Sequence, residues 1–280
     1  MFVRAIFALL MLAPALLPAA VDPKSNQPFP PHKIIGNIYY VGTNNLASYL
    51  IVTDRGNILI NPDYEESIPL IQASVEKLGF RMADIKIILI SHAHDDHVAG
   101  TARMKEITGA KLMVMEGDVA EMEDGGASDF HYRDYHWRPA KVDRVLKDND
   151  EVRLGGVTLT AHLTPGHTKG CTTWTTTVLE GRRSYNVVIV GSPNVNPGYK
   201  LVGNERYPNI VADYERGFRV LKGLPCDVFL GAHGGYYGLD EKYAKLKAGG
   251  SNPFIDPQGY REYIADRERA FRAELKKQGG

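Results

Sequence analysis

Cysteine is scarce: the chain has two, Cys171 and Cys226, among 280 residues. A single pair closes at most one disulfide, which excludes a scaffold held together by cross-links. Cys171 follows a turn at Gly170 and Cys226 follows Pro225, and both are expected to remain free thiols. Net charge is missing too, because 33 Lys and Arg balance 33 Asp and Glu. Nucleic-acid binding leaves a basic footprint, so no nucleic-acid partner is expected. Past the N-terminus, no apolar run is long enough to cross a bilayer. The one long run, Ala5 to Leu17, follows Arg4, contains Pro14 and ends in Pro18-Ala19-Ala20. A positive start, an apolar middle and small closing residues describe a secretory signal peptide over residues 1–20. No lipobox cysteine follows it, so the expectation is a periplasmic protein with no stable membrane association after cleavage. The sequence carries no signature of oligomeric state.

What is present in abundance is histidine at one place. Ser91-His92-Ala93-His94-Asp95-Asp96-His97 puts three imidazoles and two carboxylates within six residues, directly after the apolar run Ile85 to Ile90. That β-branched run has the length and composition of a buried strand. Ala102 to Ile107 then has helical character and stops at Gly109. The cluster therefore lies on a strand-to-helix turn at a strand's C-terminal end, where α/β proteins build their sites. Polar turns ordinarily use Gly, Pro, Asn, Asp and Ser. Neutral imidazole and carboxylate are ligands that suit zinc.

Around this stretch the chain alternates strands and helices. Asn37 to Val41, Leu46 to Val52 and Asn57 to Ile60 form an antiparallel meander, and Ser67 to Leu78 has helical spacing that ends at Gly79. Lys111 to Met115 is a further strand, followed by a short helix over Glu116 to Asp124. Ala127 to Arg138 is irregular and aromatic, a candidate substrate wall. Strand patterns return at Gly156 to Leu163, Cys171 to Val178, Tyr185 to Val190 and Asp227 to Leu230, with helices over Asn209 to Leu221 and Gln258 to Lys276. No linker divides the two halves. The expected fold class is α/β: one domain over residues 21–280, built as an αββα four-layer sandwich of two packed sheets with helices outside.

Later turns add to the site. His167 sits in Thr164-Pro165-Gly166-His167-Thr168, Ser192 follows Gly191 at a strand end, and His233 precedes Gly234-Gly235. His32, His131, His136 and His162 lack such contexts and are expected to be packing or surface residues. Five histidines and Asp96 exceed what one tetrahedral ion takes, whereas catalytic zinc uses three protein ligands and keeps an open position. Six ligands make two such sets, hence two zinc ions per chain.

These residues resemble the metallo-β-lactamase superfamily, whose HxHxDH motif matches His92-Ala93-His94-Asp95-Asp96-His97. Most non-lactamase hydrolases of that fold carry a metal-bridging aspartate where this chain has Gly191-Ser192. The serine, with Thr164 to Thr168 and Pro197-Gly198-Tyr199, resembles subclass B3 metallo-β-lactamases. The resemblance implies that His92, His94 and His167 hold one zinc and that Asp96, His97 and His233 hold the other. Asp95 is not expected to bind metal. Ser192 would contact the substrate or metal-bound water, helped by Asn194 or Asn196, and the substrate's carboxylate would dock near Asn196-Pro197. The implied function is hydrolysis of the β-lactam amide by a hydroxide held between two zinc ions and oriented by Asp96, conferring β-lactam resistance. Two other readings stay open: an exported dizinc hydrolase of a lactone or thioester, and a non-catalytic periplasmic zinc-binding protein.

Overall fold

The computed structural model describes residues 22–280. The expected signal peptide lies outside the described residues. Seven strands, in spatial order β1 (His32–Ile35), β2 (Ile38–Tyr40), β3 (Tyr49–Thr53), β4 (Gly56–Ile60), β5 (Ile85–Leu89), β6 (Lys111–Met115) and β7 (Arg144–Leu146), form the first sheet. Its first four strands are the antiparallel meander; β4 to β7 pair in parallel. The second sheet has the order β12 (Val228–Gly231), β11 (Arg183–Val190), β10 (Thr172–Glu180), β9 (Val157–Leu163) and β8 (Glu151–Leu154). The two sheets follow one another along the chain, as the two-halves reading expects.

Alternation along the central strands explains the layers. Tyr49 and Ile51 of β3, Ile58 and Ile60 of β4, and Ile87 and Leu89 of β5 enter the core between the sheets. Leu50, Leu59 and Ile88 point the other way, into a second core that Ile68, Ile71 and Val75 of α1 (Ile68–Lys77) and Met104 of α3 (Thr101–Thr108) complete. A strand buried on both faces must read as a continuous apolar run, and Ile85 to Ile90 does. On the far side, α5 (Ile210–Gly223) and α8 (Pro257–Lys277) pack on each other, burying Tyr214, Phe218, Tyr260, Ile264 and Phe271. The arrangement is the expected αββα sandwich. None of the described helices is long and apolar enough to span a membrane.

Direction decides where the site forms. β10 runs antiparallel to both β9 and β11, and β12 runs parallel to β11. The C-terminal ends of β9, β11 and β12 therefore share one edge. Specific bonds join that edge to the end of β5: the Thr172 amide donates to the Ser91 carbonyl at 2.7 Å, and the buried Trp174 indole donates to the Ile90 carbonyl at 2.9 Å. Two short helices escaped the sequence reading, α6 (Gly234–Tyr237) and α7 (Leu239–Ala248). Their Gly- and Lys-rich sequences give weak periodicity, and α6 is a single turn that starts on a site histidine. The strand β1 was hidden in the proline-rich lead.

Candidate metal centre

The turn after β5 reverses quickly. His92 is buried in it, and Asp95–Val98 form the one-turn helix α2, which aims Asp96 and His97 back at the strand end. The fold gathers the side chains singled out in the sequence at this one edge. The rings of His92, His94 and His167 form a compact triangle with centroid separations of 4.8, 4.5 and 4.6 Å. Each can present one ligand atom to a common point, as all three lie within 4.8 Å of one another. Beside them, His97 Nε2 and His233 Nε2 are 3.1 Å apart, and the Asp96 carboxylate reaches them at 3.4 and 3.5 Å. The ligand atoms of His92, Asp96 and His97 also cluster within 4.8 Å, so the two groups adjoin at His92.

The donors fit zinc. Tetrahedral zinc with Zn–N of 2.0–2.1 Å holds its ligand atoms roughly 3.3 Å apart, and the second group shows 3.1, 3.4 and 3.5 Å. Two imidazole nitrogens facing each other at 3.1 Å call for a proton or a cation between them. Burial lowers the pKa of every one of these histidines, His97 to about 3 and both His167 and His233 to about 4. Each is then a neutral imidazole with a lone pair to give. Four of the five histidines have their outward nitrogen partnered, as metal-binding histidines commonly do. His167 Nδ1 donates to the Asn194 carbonyl at 2.8 Å, His92 Nδ1 lies 3.1 Å from the Ser91 hydroxyl, and His94 Nε2 lies 3.3 Å from the Tyr199 hydroxyl. His233 Nδ1 meets the Asn45 amide at 3.4 Å, whereas His97 Nδ1 is buried without a partner.

Above the histidines opens a cleft of about 440 Å³. Tyr64, Tyr132 and Tyr135 form an aromatic side, while Asn45, Asn194, Asn196 and Tyr236 offer polar groups. The irregular segment expected to be a substrate wall thus supplies Tyr132 and Tyr135. Asp95 also faces the cleft, with its carboxyl pushed up to about 7 by burial and by the neighbouring Asp96. Ser192 is 2% exposed and is not among the residues lining the cleft; its hydroxyl lies 3.1 Å from that of Tyr236, which lines it. His162 bonds Thr175 within the sheet, and His32 packs among Phe29, Tyr40 and Phe254; both stay out of the site. Cys171 and Cys226 are free.

Sequence reasoning missed several supports. Asn61 and Asp63, both with φ near +60°, brace the β5 turn: Asn61 Oδ1 accepts the Ser91 amide, and the Asp63 amide donates to the His97 carbonyl. A non-glycine residue at positive φ is uncommon and Asn and Asp tolerate it best, so Asn61-Pro62-Asp63 carried a usable signal. Asp118, which accepts the Ala93 and Gly170 amides, and Tyr236, beside Ser192, carried none, since both act through contacts distant in sequence.

A family model described as the Metallo-beta-lactamase superfamily matches residues 42–233. The native FEZ-1 metallo-beta-lactamase from Legionella gormanii is 54% identical, with a TM-score of 0.90 over 91% of this chain and 98% of that one. The class B3 di-zinc metallo-beta-lactamase LRA-12 from an Alaskan soil metagenome is 33% identical, with a TM-score of 0.87 over 92% of this chain and 99% of that one. Among curated relatives, a hydroxyacylglutathione hydrolase of Rhodopseudomonas palustris (strain BisB5) is 30% identical over 45% of this chain. The match spans only 41% of that relative's length.

Proposed function

Because the chain belongs to the metallo-beta-lactamase superfamily, we propose that it is a dizinc β-lactamase of the B3 kind that opens the β-lactam amide. The observation that carries this reading is the turn after β11, which presents Ser192 and no carboxylate. Asp95 and Asp96 are the only carboxylates among the described residues lining the cleft. A thioesterase of this fold resembles the pattern with a bridging aspartate at that turn, and this chain lacks it. Similarity over nearly the full length of a metallo-beta-lactamase, against 41% of a hydroxyacylglutathione hydrolase, supports the same choice. The leader pattern of residues 1–20 supports export to the periplasm.

In this reading His92, His94 and His167 hold one zinc and Asp96, His97 and His233 the other. Zinc bound there supplies Lewis acidity, polarising the scissile carbonyl and lowering the pKa of water towards neutrality. The chain does the rest. Its buried imidazoles stay neutral and keep their lone pairs on the ions. Asp96, reaching across to His97 and His233, is placed to take a proton from water and return one to the departing amide nitrogen. Asn194 and Asn196 present side-chain amides for the substrate's carboxylate, so that recognition there uses neutral donors. The tyrosines opposite shield the reacting bond from bulk water.

The test is turnover of a chromogenic cephalosporin and of a glutathione thioester by purified protein, with and without a chelator. Cephalosporin hydrolysis that the chelator abolishes is expected. Turnover of the thioester alone would move the assignment to the hydroxyacylglutathione hydrolases. No turnover of either, nor of a lactone, with two zinc ions bound, would leave a non-catalytic binding protein.

A further inference from the structure

One carboxylate lies beneath both turns that carry the first histidine triad. Asp118 follows β6, leads into the helix Val119–Asp124 (α4) and is wholly buried. Its Oδ2 accepts the Ala93 amide at 2.9 Å and the Thr168 hydroxyl at 2.8 Å, while Oδ1 accepts the Gly170 amide at 2.6 Å. Ala93 stands between His92 and His94, and Thr168 follows His167. The approach of the two segments is tight: a Cβ on Gly117 would lie 2.5 Å from the Lys169 carbonyl, and one on Gly170 would lie 2.4 Å from the Asp118 amide. Burial pushes the Asp118 carboxyl up to about 6, while the Thr168 hydroxyl and the Gly170 and Ala93 amides, all donors, favour its ionised form. Bonds to that form are charge-assisted, the stronger class. No carboxylate outside the ligand set makes such bonds to the residues flanking His97 and His233 among the described residues; there the supports are the Asp63 backbone and the Asn45 amide.

Resting on the reading of His92, His94 and His167 as a zinc triad, we propose that Asp118 is the positioning residue for that triad. By tying the β5 turn to the β9 turn, it fixes the spacing of the three imidazoles before an ion arrives. It touches neither substrate nor metal and acts only through Ala93, Thr168 and Gly170. Outer partners of metal ligands set affinity in this way because the free site otherwise loses entropy when it organises around the ion. A residue that merely stabilised the fold would instead weaken both triads together.

Cobalt(II) titration of metal-free protein, followed by visible absorption and competition with a chelator, separates these outcomes. Asp118→Asn leaves one acceptor oxygen and turns an amide towards a donor, so it unmakes the tie without changing size. In an Asp96→Ala background, where only the first triad is complete, it is expected to weaken cobalt(II) about 10–100-fold. In a His167→Ala background, where only the second is complete, the expected change is under about 3-fold. Equal losses in both backgrounds, or no loss in the first, overturn the proposal. Should Asp118→Asn fail to fold, Thr168→Val removes one donor and keeps the carboxylate. A loss of about 3–10-fold confined to the first triad is then expected, the worth of one hydrogen bond, and none would overturn it. The readout is metal binding, so absent cephalosporin turnover would defeat the proposed function and leave this inference standing.

Discussion

The two ligand triads sit side by side yet are supported in different ways. His92, His94 and His167 come from two turns on different sheets, and side chains brace them: Ser91, Tyr199 and, through the backbone, Asp118. Asp96, His97 and His233 have one neutral side-chain support, the Asn45 amide at His233 Nδ1, and otherwise lean on backbone. The turn of α2 is pinned by Asp63, whose amide bonds the His97 carbonyl and whose carbonyl accepts the Gly100 amide at 2.8 Å. His233 is the most exposed of the histidine ligands, at 21% for its side chain, while His97 has no exposure and no partner for Nδ1. A triad whose outward nitrogens are all bonded is organised before metal binds. One with an unpartnered nitrogen gains most of its order from the ion.

Removing a ligand from the second triad gives the largest effect and asks whether the division is real. Asp96→Ala is expected to lose the second zinc, keep the first and lower turnover at least about 100-fold, beyond what an outer partner costs. Metal content of the purified variant and cephalosporin kinetics check it. Two bound ions with near-normal rate would erase the distinction between the triads.

Acid tests the same comparison without metal. His167 and His233, one from each triad, both titrate at about 4 in the fold because burial disfavours their charged forms, against roughly 6.5 in an unfolded chain. Between those values the unfolded chain binds the proton and the folded one does not, so stability rises with pH. Each histidine's contribution is whole above about 6.5 and is lost as pH falls to about 4. Buried acids such as Asp95 push the other way, which makes the variant difference the useful quantity. Replacing either histidine by Asn is expected to remove about 1.4 kcal/mol per pH unit of that slope in the metal-free protein. Denaturant midpoints across pH 4–6.5 measure it. An unchanged slope for one of them would mean that its ring is already charged in the fold.

The ease with which the ligands were found in sequence follows from their closeness along the chain. Four of them occupy His92 to His97, and His167 and His233 stand beside glycines at strand ends. Their supports are legible only in three dimensions. Asp118 lies in an acidic, helix-like stretch and meets Gly170 across 52 positions, while Trp174 reaches Ile90 across 84. Periodicity located nearly every strand because the central ones are buried on one or both faces. It missed α6 and α7, whose sequences bury little in a regular pattern. Ser192 lies at the end of β11 as read, but its pairing with the Tyr236 hydroxyl is a contact across 44 positions.

Trp174 belongs to both triads equally, since it bonds the strand that carries the His92 turn to the sheet that carries His167 and His233. Trp174→Phe leaves the Ile90 carbonyl unpaired and opens a small cavity, for an expected cost of about 1–3 kcal/mol. Thermal unfolding measures that cost, and cobalt(II) affinities of the two triads should fall together. A selective loss at one triad would show that the sheets' junction favours that side.

The smallest expected effect concerns the wall between the triads and the substrate. Tyr236 follows His233 by one helical turn, stacks on Tyr263 of α8 at 5.1 Å and covers the Ser192 hydroxyl. Its ring lies so close to β12 that a Cβ on Gly231 would meet Tyr236 Cδ2 at 2.9 Å. The phenol therefore has little room to move and is placed to present its hydroxyl to a ligand in place of the serine behind it. Tyr236→Phe keeps the ring and the stacking and deletes one neutral donor, which costs about 0.5–1.5 kcal/mol. The expected outcome is a KM about 3–10-fold higher for substrates that carry a carboxylate, with kcat and metal content unchanged. A fall in kcat at constant KM would place the hydroxyl in the chemical step. An unchanged KM in Tyr236→Phe, with a raised one in Ser192→Ala, would return the substrate contact to the serine.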